Sequence, residues 1–187
     1  LGLPVHSVRG RGYRLESALS VLNAEALTAE GLVWPIFLHE QTDSTNAEAL
    51  RLLDAGVTAP FLVLAEQQLQ GRGRRGRTWV SPYGQNLYFS LAWRIDGGAR
   101  HLDGLSLVVG LAVLRALQSV GLNKSGLKWP NDVLVGGRKI GGILLELVGD
   151  PADVCHVVIG VGINVNMRLD NLGIDQPWTS LANELGA

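Results

Sequence analysis

Four guanidinium groups fall within six positions of one segment, Gly71-Arg72-Gly73-Arg74-Arg75-Gly76-Arg77. Arginine presents a planar fork of donors that matches phosphate or carboxylate, and it stays charged at any working pH. The intervening glycines let the backbone approach a ligand closely. A triphosphate or an acyl-adenylate is a fitting occupant; from charge alone, a solvated basic loop or a nucleic-acid contact fits equally. The segment formally matches GxGxxG, but a dinucleotide fingerprint needs a helix opening on the loop. Thr78-Trp79-Val80-Ser81-Pro82 is β-branched, aromatic and proline-broken, which argues against that helix. No Walker sequence occurs elsewhere, so any ATP is held by another scheme.

The chain has three lysines, and two lie in a second pair of segments, Lys128-Trp129-Pro130-Asn131-Asp132 and Arg138-Lys139-Ile140-Gly141-Gly142. Pro130 fixes φ and stiffens its turn. Asn131 and Asp132 can bond back to the backbone or ligate a hard cation such as Mg²⁺; an ordinary hairpin turn explains them too. Paired glycines in a strand, Gly141-Gly142, suggest close approach of a ligand or a second backbone.

The elements that carry these segments follow from periodicity. Residues 1–15 read as a short strand pair, too little to fold alone. Residues 22–31 have a weak helical pattern opened by Asn23 and stopped by Gly31. Residues 34–39 suit a strand. Asp43-Ser44-Thr45 supplies capping residues for a helix that Gly56 ends. Phe61 to Ala65 reads as a buried strand. Residues 67–86 form a long loop of the functional or mobile kind. Asn86 to Arg94 alternates as a strand. The longest helix spans Leu105 to Val120, with Leu105, Val108, Val109, Ala112, Val113, Ala116 and Val120 expected on its inner face. Val133-Leu134-Val135, the Gly136-Gly137 turn and residues 138–148 form a hairpin; residues 154–165 add a strand, and 180–185 a helix. Strands outnumber helices and several are hairpin-linked. The fold class is therefore α+β, a mixed, mostly antiparallel sheet with flanking helices.

Bulk properties agree with one domain. Of 187 residues, 47% are hydrophobic and 18% charged, with a formal net charge of −1, so neither disorder nor general polyanion binding is indicated. Cys155 is the sole cysteine, set in an apolar run that marks an inert strand residue. With no disulfide, no long apolar span and no basic-then-apolar leader, a cytoplasmic setting is expected.

Taken in order, the segments Asp43-Ser-Thr-Asn46, Gln70 to Trp79, Ser81-Pro82, Asn86-Leu-Tyr88, Lys128 to Asp132, Lys139 to Glu146 and Gly160 to Asn164 resemble the biotin–protein ligase family. The resemblance implies a catalytic domain over residues 18–187, with a fold like that of class II aminoacyl-tRNA synthetases and lipoate ligases. Residues 1–17 resemble the wing hairpin of the winged helix-turn-helix found in bifunctional ligase–repressors. The family's small C-terminal SH3-like domain is not expected within these residues. The implied activity is ATP- and Mg²⁺-dependent conversion of biotin to biotinyl-5′-AMP. Transfer then follows to a lysine of the biotin carboxyl carrier protein of acetyl-CoA carboxylase. Operator DNA would be contacted only through the N-terminal domain, a homodimer is left open, and no membrane is involved.

Residue by residue, the resemblance makes Ser44, Thr45, Gln68, Gly71, Arg72, Lys139, Gly142 and Gly160 biotin contacts. It makes Arg74, Arg77, Trp79, Asn131, Asn164 and Trp178 nucleotide contacts, with Arg74, Lys139 and Arg77 catalytic and Asp132 a candidate for the metal. A lipoate or octanoate ligase is the nearest rival; the arginine loop and Lys128 to Asp132 favour biotin. A DNA-binding regulator without ligase activity is the rival of another class, disfavoured by the slightly negative charge.

Overall fold

A computed structural model describes residues 5–15, 19–168 and 173–186, apart from the side chain of His101. Within the hairpin expected over residues 1–17, positions 1–4, 16 and 17 lie outside the described residues. Strands β1 (Val5–Val8) and β2 (Gly12–Leu15) pair antiparallel as a two-stranded sheet of their own.

Helix α1 (Ala24–Ala29) starts as expected, with Asn23 Oδ1 accepting the Ala26 N–H at 2.8 Å. Strand β3 (Ile36–Thr42) leads into α2 (Thr45–Asp54), followed by β4 (Phe61–Gln68) and β5 (Asn86–Ile95). After α3 (Leu105–Ser119) come β6 (Ser125–Lys128), β7 (Asp132–Val135), β8 (Arg138–Gly149), β9 (Cys155–Asn164) and α4 (Leu181–Leu185). Strands β3 to β9 make one seven-stranded sheet in the order β3-β4-β5-β9-β8-β7-β6. Only the β3–β4 pair is parallel, joined through α2; the other pairs are antiparallel. The α+β expectation thus holds. Among the described residues no helix is long and apolar enough to cross a membrane.

Alternation along β9 explains where the site lies. Val157, Ile159, Val161 and Ile163 point to one face and pack with Val113 and Leu117 of α3, plus Val133, Ile140 and Ile143. Val158 points to the other face, where it meets Ala49 of α2, Phe61, Val63 and Ala92. Gly160 and Gly162 continue that second face, where the Asn46 side chain from the start of α2 and the Trp79 indole lie against them beside the cavities. Cys155 is fully buried at the start of β9, as its apolar run implied.

Two sequence expectations need correction. On α3 the inner face is Leu105, Val109, Gly110, Val113, Leu114 and Leu117, whereas Val108 is 62% exposed and Val120 55%. Ala112 and Ala116 also face outward. The run is apolar all round, so its period does not choose a face; Gly110 does. A Cβ there would come 2.8 Å from Leu127 Cδ2, so the helix rests closest to the sheet at that glycine. The second correction concerns α2. Ser44 is its N-cap by position, but its side chain makes no capping bond; instead Asp43 Oδ1 accepts the Ser44 N–H at 2.7 Å.

Candidate active site

Two cavities sit side by side on the open face. The first, about 270 Å³, is lined by the start of α2, the arginine loop, Lys128 to Asp132 and the glycine-bearing stretches of β8 and β9. The second, about 620 Å³, runs from Gly76 and Arg77 to Asn164 and Trp178. Arg77, Thr78, Trp79, Lys139 and Gln176 line both. Trp79 stands between them because the floor beneath it has no side chains. A Cβ on Gly162 would lie 2.6 Å from the indole, and one on Gly142 would lie 3.0 Å from it.

The first cavity is strongly electropositive. Arg72, Arg74, Arg75, Arg77, Lys128 and Lys139 line it against one carboxylate, Asp132. Lys139 Nζ lies 2.8 Å from Asp132 Oδ1 and 5.2 Å from the centroid of the Trp79 ring. Arg74 Nη1 donates to Asn131 Oδ1 at 3.3 Å, and Arg72 Nη2 to Glu146 Oε2 at 3.2 Å. These contacts dock an otherwise exposed loop onto β8 and the segment before β7. Inside the loop, Arg72 and Thr78 form an isolated antiparallel bridge, and Arg75 takes a left-handed φ of 57° next to Gly76. An anion is the ligand such a lining favours. Among the described residues no group of three or more His, Cys, Asp or Glu could hold a metal, and Asp132 already faces Lys139.

Most sequence-chosen residues converge here. Ser44, Thr45, Gln68, Arg72, Lys139, Gly142 and Gly160 line the first cavity together with Arg74 and Asn131. Asn164 and Trp178 line the second. Gly71 is buried just outside, where a Cβ would strike Trp79 O at 2.4 Å and Ser81 Oγ at 2.8 Å. Gly160 has a reason of its own: a Cβ there would come within 2.1 Å of Asn46 Oδ1, so its bareness admits a protein side chain. Asn164 is buried, and its Nδ2 donates to Thr179 O at 2.9 Å. It thereby holds the segment in which Trp178 pairs in parallel with Lys139, alongside the Lys139 N–H bond to Pro177 O at 2.9 Å.

The sequence assigns no individual role to Asn46, Ser90 or Glu146, and marks Lys128 and Arg75 only as charges within their segments. A signal existed for two of them. Ser90 is a polar residue on the inner side of an alternating strand, and Glu146 is a charge inside the apolar run of β8. Arg51 adds a further pair at the site's edge: its Nη1 and Nη2 donate to Asp43 Oδ2 and Oδ1 at 2.9 and 2.7 Å.

Residues 38–164 match the family model described as the biotin/lipoate A/B protein ligase family. The chain is 39% identical over 181 residues to the bifunctional ligase/repressor BirA of Escherichia coli, covering 96% of this chain and 56% of that protein. It is 47% identical over 130 residues to the biotin--[acetyl-CoA-carboxylase] ligase of Paracoccus denitrificans, covering 67% of this chain and 52% of that one. The chain thus spans about half the length of the curated relatives it matches. Among solved structures, the biotin protein ligase of Aquifex aeolicus in complex with biotin and ATP superposes with a TM-score of 0.69 at 35% identity, covering 82% of this chain and 62% of that one. The Leishmania major biotin protein ligase in complex with biotinyl-5-AMP gives 0.66 at 30% identity, covering 81% and 66%.

Proposed function

The chain belongs to the biotin/lipoate A/B protein ligase family, and on that premise we propose that it activates biotin with ATP and passes it to a lysine of a carrier protein. The observation that carries this reading is the pair of cavities meeting at Trp79 and Lys139, the smaller one walled by six cations. Two anions must be brought together for a carboxylate to attack a phosphate, and fixed cations lower that cost.

In the first step a biotin carboxylate oxygen bonds to the α-phosphorus of ATP, and pyrophosphate leaves. Ser44, Thr45, Gln68 and Arg72 hold the biotin head group, with the backbone of Gly142 and Gly160 along it and Gly71 seating the loop beside it. Lys139, Arg74 and Arg77 stabilise the charge spread over the phosphoryl oxygens. Trp79 and Trp178 flank the nucleotide, Asn131 orients Arg74, and Asn164 acts through the Trp178 segment. Mg²⁺ would be held chiefly by the nucleotide's own phosphates, where it would offset their charge, with Asp132 the one carboxylate lining the first cavity among the described residues. In the second step the carrier lysine's amine attacks the mixed anhydride, loses a proton, and AMP leaves. No enzyme residue becomes covalently attached.

The biotin carboxyl carrier protein of acetyl-CoA carboxylase is the proposed acceptor, in the cytoplasm, where a single buried thiol is at home. The hairpin of β1 and β2 is proposed to be the wing of an N-terminal DNA-binding domain, which would give a full-length protein a second role as a biotin-responsive repressor. The ligase reading is tested by isotope exchange between pyrophosphate and ATP. Biotin should stimulate exchange; stimulation by lipoate or octanoate instead would move the chain to the other branch of its family, and none by any acid would end the ligase reading.

A further inference from the structure

A chain of hydrogen bonds passes through Asn46, which lines the first cavity, and continues behind its wall to Ser90 and Glu146. Asn46 is 3% exposed and Ser90 fully buried. Asn46 Nδ2 donates to Glu146 Oε2 at 2.7 Å, and Asn46 Oδ1 accepts from Ser90 Oγ at 2.5 Å. Ser90 Oγ also lies 2.8 Å from Thr45 Oγ1. Ser90 itself does not line the cavity, whereas Thr45 does.

The direction of each bond follows from proton counting. An ionised carboxylate can only accept, so Asn46 must turn its amide nitrogen toward Glu146 and its carbonyl toward Ser90. Ser90 has one proton, and Asn46 Oδ1 can only accept, so the proton lies between them. At the 2.8 Å contact Ser90 therefore accepts and Thr45 donates. The other acceptor within reach of the Thr45 hydroxyl, Gln68 Oε1 at 3.2 Å, would also hold that proton inside the wall. Gln68 Oε1 in turn accepts the Thr45 N–H at 2.9 Å, which fixes the backbone of the same residue. Toward the cavity, Thr45 Oγ1 is left with a lone pair only.

We propose that Glu146, Asn46 and Ser90 form a polarity relay that fixes Thr45 as an acceptor toward the cavity, so that the site selects a ring N–H and rejects a ring oxygen at that position. This rests on the biotin reading of the cavity, in which the ureido ring supplies the N–H. Glu146, Asn46 and Ser90 are positioning residues, acting through Thr45. Removing the relay leaves the Thr45 proton only the longer, 3.2 Å contact to Gln68 Oε1, so the hydroxyl turns toward the cavity and donates there more readily.

The test is direct binding by calorimetry of biotin and of the two cyclic carbamates in which one ureido N–H is replaced by oxygen. The unaltered chain should prefer biotin to one of the carbamates by about a hundredfold, the difference between an N–H bond and two facing lone pairs. Ser90→Ala should shrink that preference about tenfold, by weakening biotin and sparing or tightening the carbamate. Glu146→Gln, nearly isosteric, should shift it the same way, because a side-chain amide can donate to Asn46 and let it flip. Any loosening of Arg72 by Glu146→Gln weakens all three ligands alike and leaves the preference untouched. Should Ser90→Ala fail to fold, Glu146→Gln carries the test alone. An unchanged preference in either folded variant overturns the relay. Failure of the unaltered chain to bind biotin overturns the biotin reading, and the relay's ligand with it.

Discussion

Lys139 Nζ lies 2.8 Å from Asp132 Oδ1, with the two side chains only 12% and 19% exposed. The lysine is thus oriented and held at the junction of the two cavities. A ligand carboxylate entering the first cavity competes with Asp132 for a cation already in place, so little reorganisation is left to the reacting step.

Lys139→Ala should therefore slow adenylate formation by about two to three powers of ten, the usual cost of losing one preorganised group facing developing charge. Biotin affinity should fall by less than tenfold. Single-turnover rates beside equilibrium binding separate the two; an unchanged chemical rate removes Lys139 from the catalytic group.

Arg74 is tied down by only a 3.3 Å bond to Asn131, so it is free to follow a ligand. A guanidinium touching both ends of the mixed anhydride would supply charge-assisted bonds of about 1.5–3 kcal/mol. Arg74→Gly should release biotinyl-adenylate about one to two powers of ten faster. Incubation with ATP, biotin and serum albumin, then blotting for biotin, should reveal stray labelling. Labelling confined to a carrier domain would show that another residue retains the intermediate.

Hydrogen bonds from Arg51 hold the Asp43 carboxyl well below the ordinary carboxylate range, with the Ser44 N–H and the Thr42 hydroxyl assisting and burial opposing. A carboxyl with a depressed folded pKa adds stability above its unfolded value, near 4, and loses it as pH falls through the folded value. Arg51→Met should thus lower the melting temperature modestly at pH 7, since the pair is exposed. The gap between variant and parent should close as pH falls below about 4. A gap constant from pH 7 to pH 2 would assign the effect to something other than Asp43.

The two faces of α3 give a stability test. Leu117 is 2% exposed and Leu111 is 53% exposed. Leu117→Ala should cost about 2–5 kcal/mol and Leu111→Ala within about 0.5 kcal/mol, read by denaturant unfolding. Equal losses would mean that the outward face is covered in solution.

That helix also marks the boundary of what the sequence makes legible. Strand β5, with its clean alternation, and the Gly136-Gly137 hairpin are readable because period 2 and turn chemistry are local signals. The inner face of α3 is not, because Gly110 looks like a gap in the pattern when it is the point of closest packing against Leu127. Strand β6 escapes for a similar reason: four residues with a glycine among them carry no period.

The site divides the same way. Arginines, lysines and glycines that face the cavities declare themselves by type and spacing. Ser90 and Glu146 stand out only as polar residues within apolar strands, and their role stays hidden because each acts through Asn46, 44 and 100 residues away along the chain. Gly160 lines the first cavity, and its lack of a side chain also makes room for Asn46. Contact across the sheet, which no local pattern encodes, decides such roles.

The alternation of β9 has a consequence for how the gene tolerates change. Val157, Ile159, Val161 and Ile163 serve cohesion, while Gly160 and Gly162 on the opposite side serve the cavities. A saturation scan of this strand should therefore resolve into two interleaved combs. Odd positions would accept other aliphatics and lose abundance when truncated. Gly162 would keep abundance and lose ligand binding with an added methyl group, which meets the Trp79 indole, whereas Gly160 would lose both, because a methyl there strikes the buried Asn46 amide. Cohesion and the cavity floor are thus open to selection separately at Gly162, one residue from the core on either side.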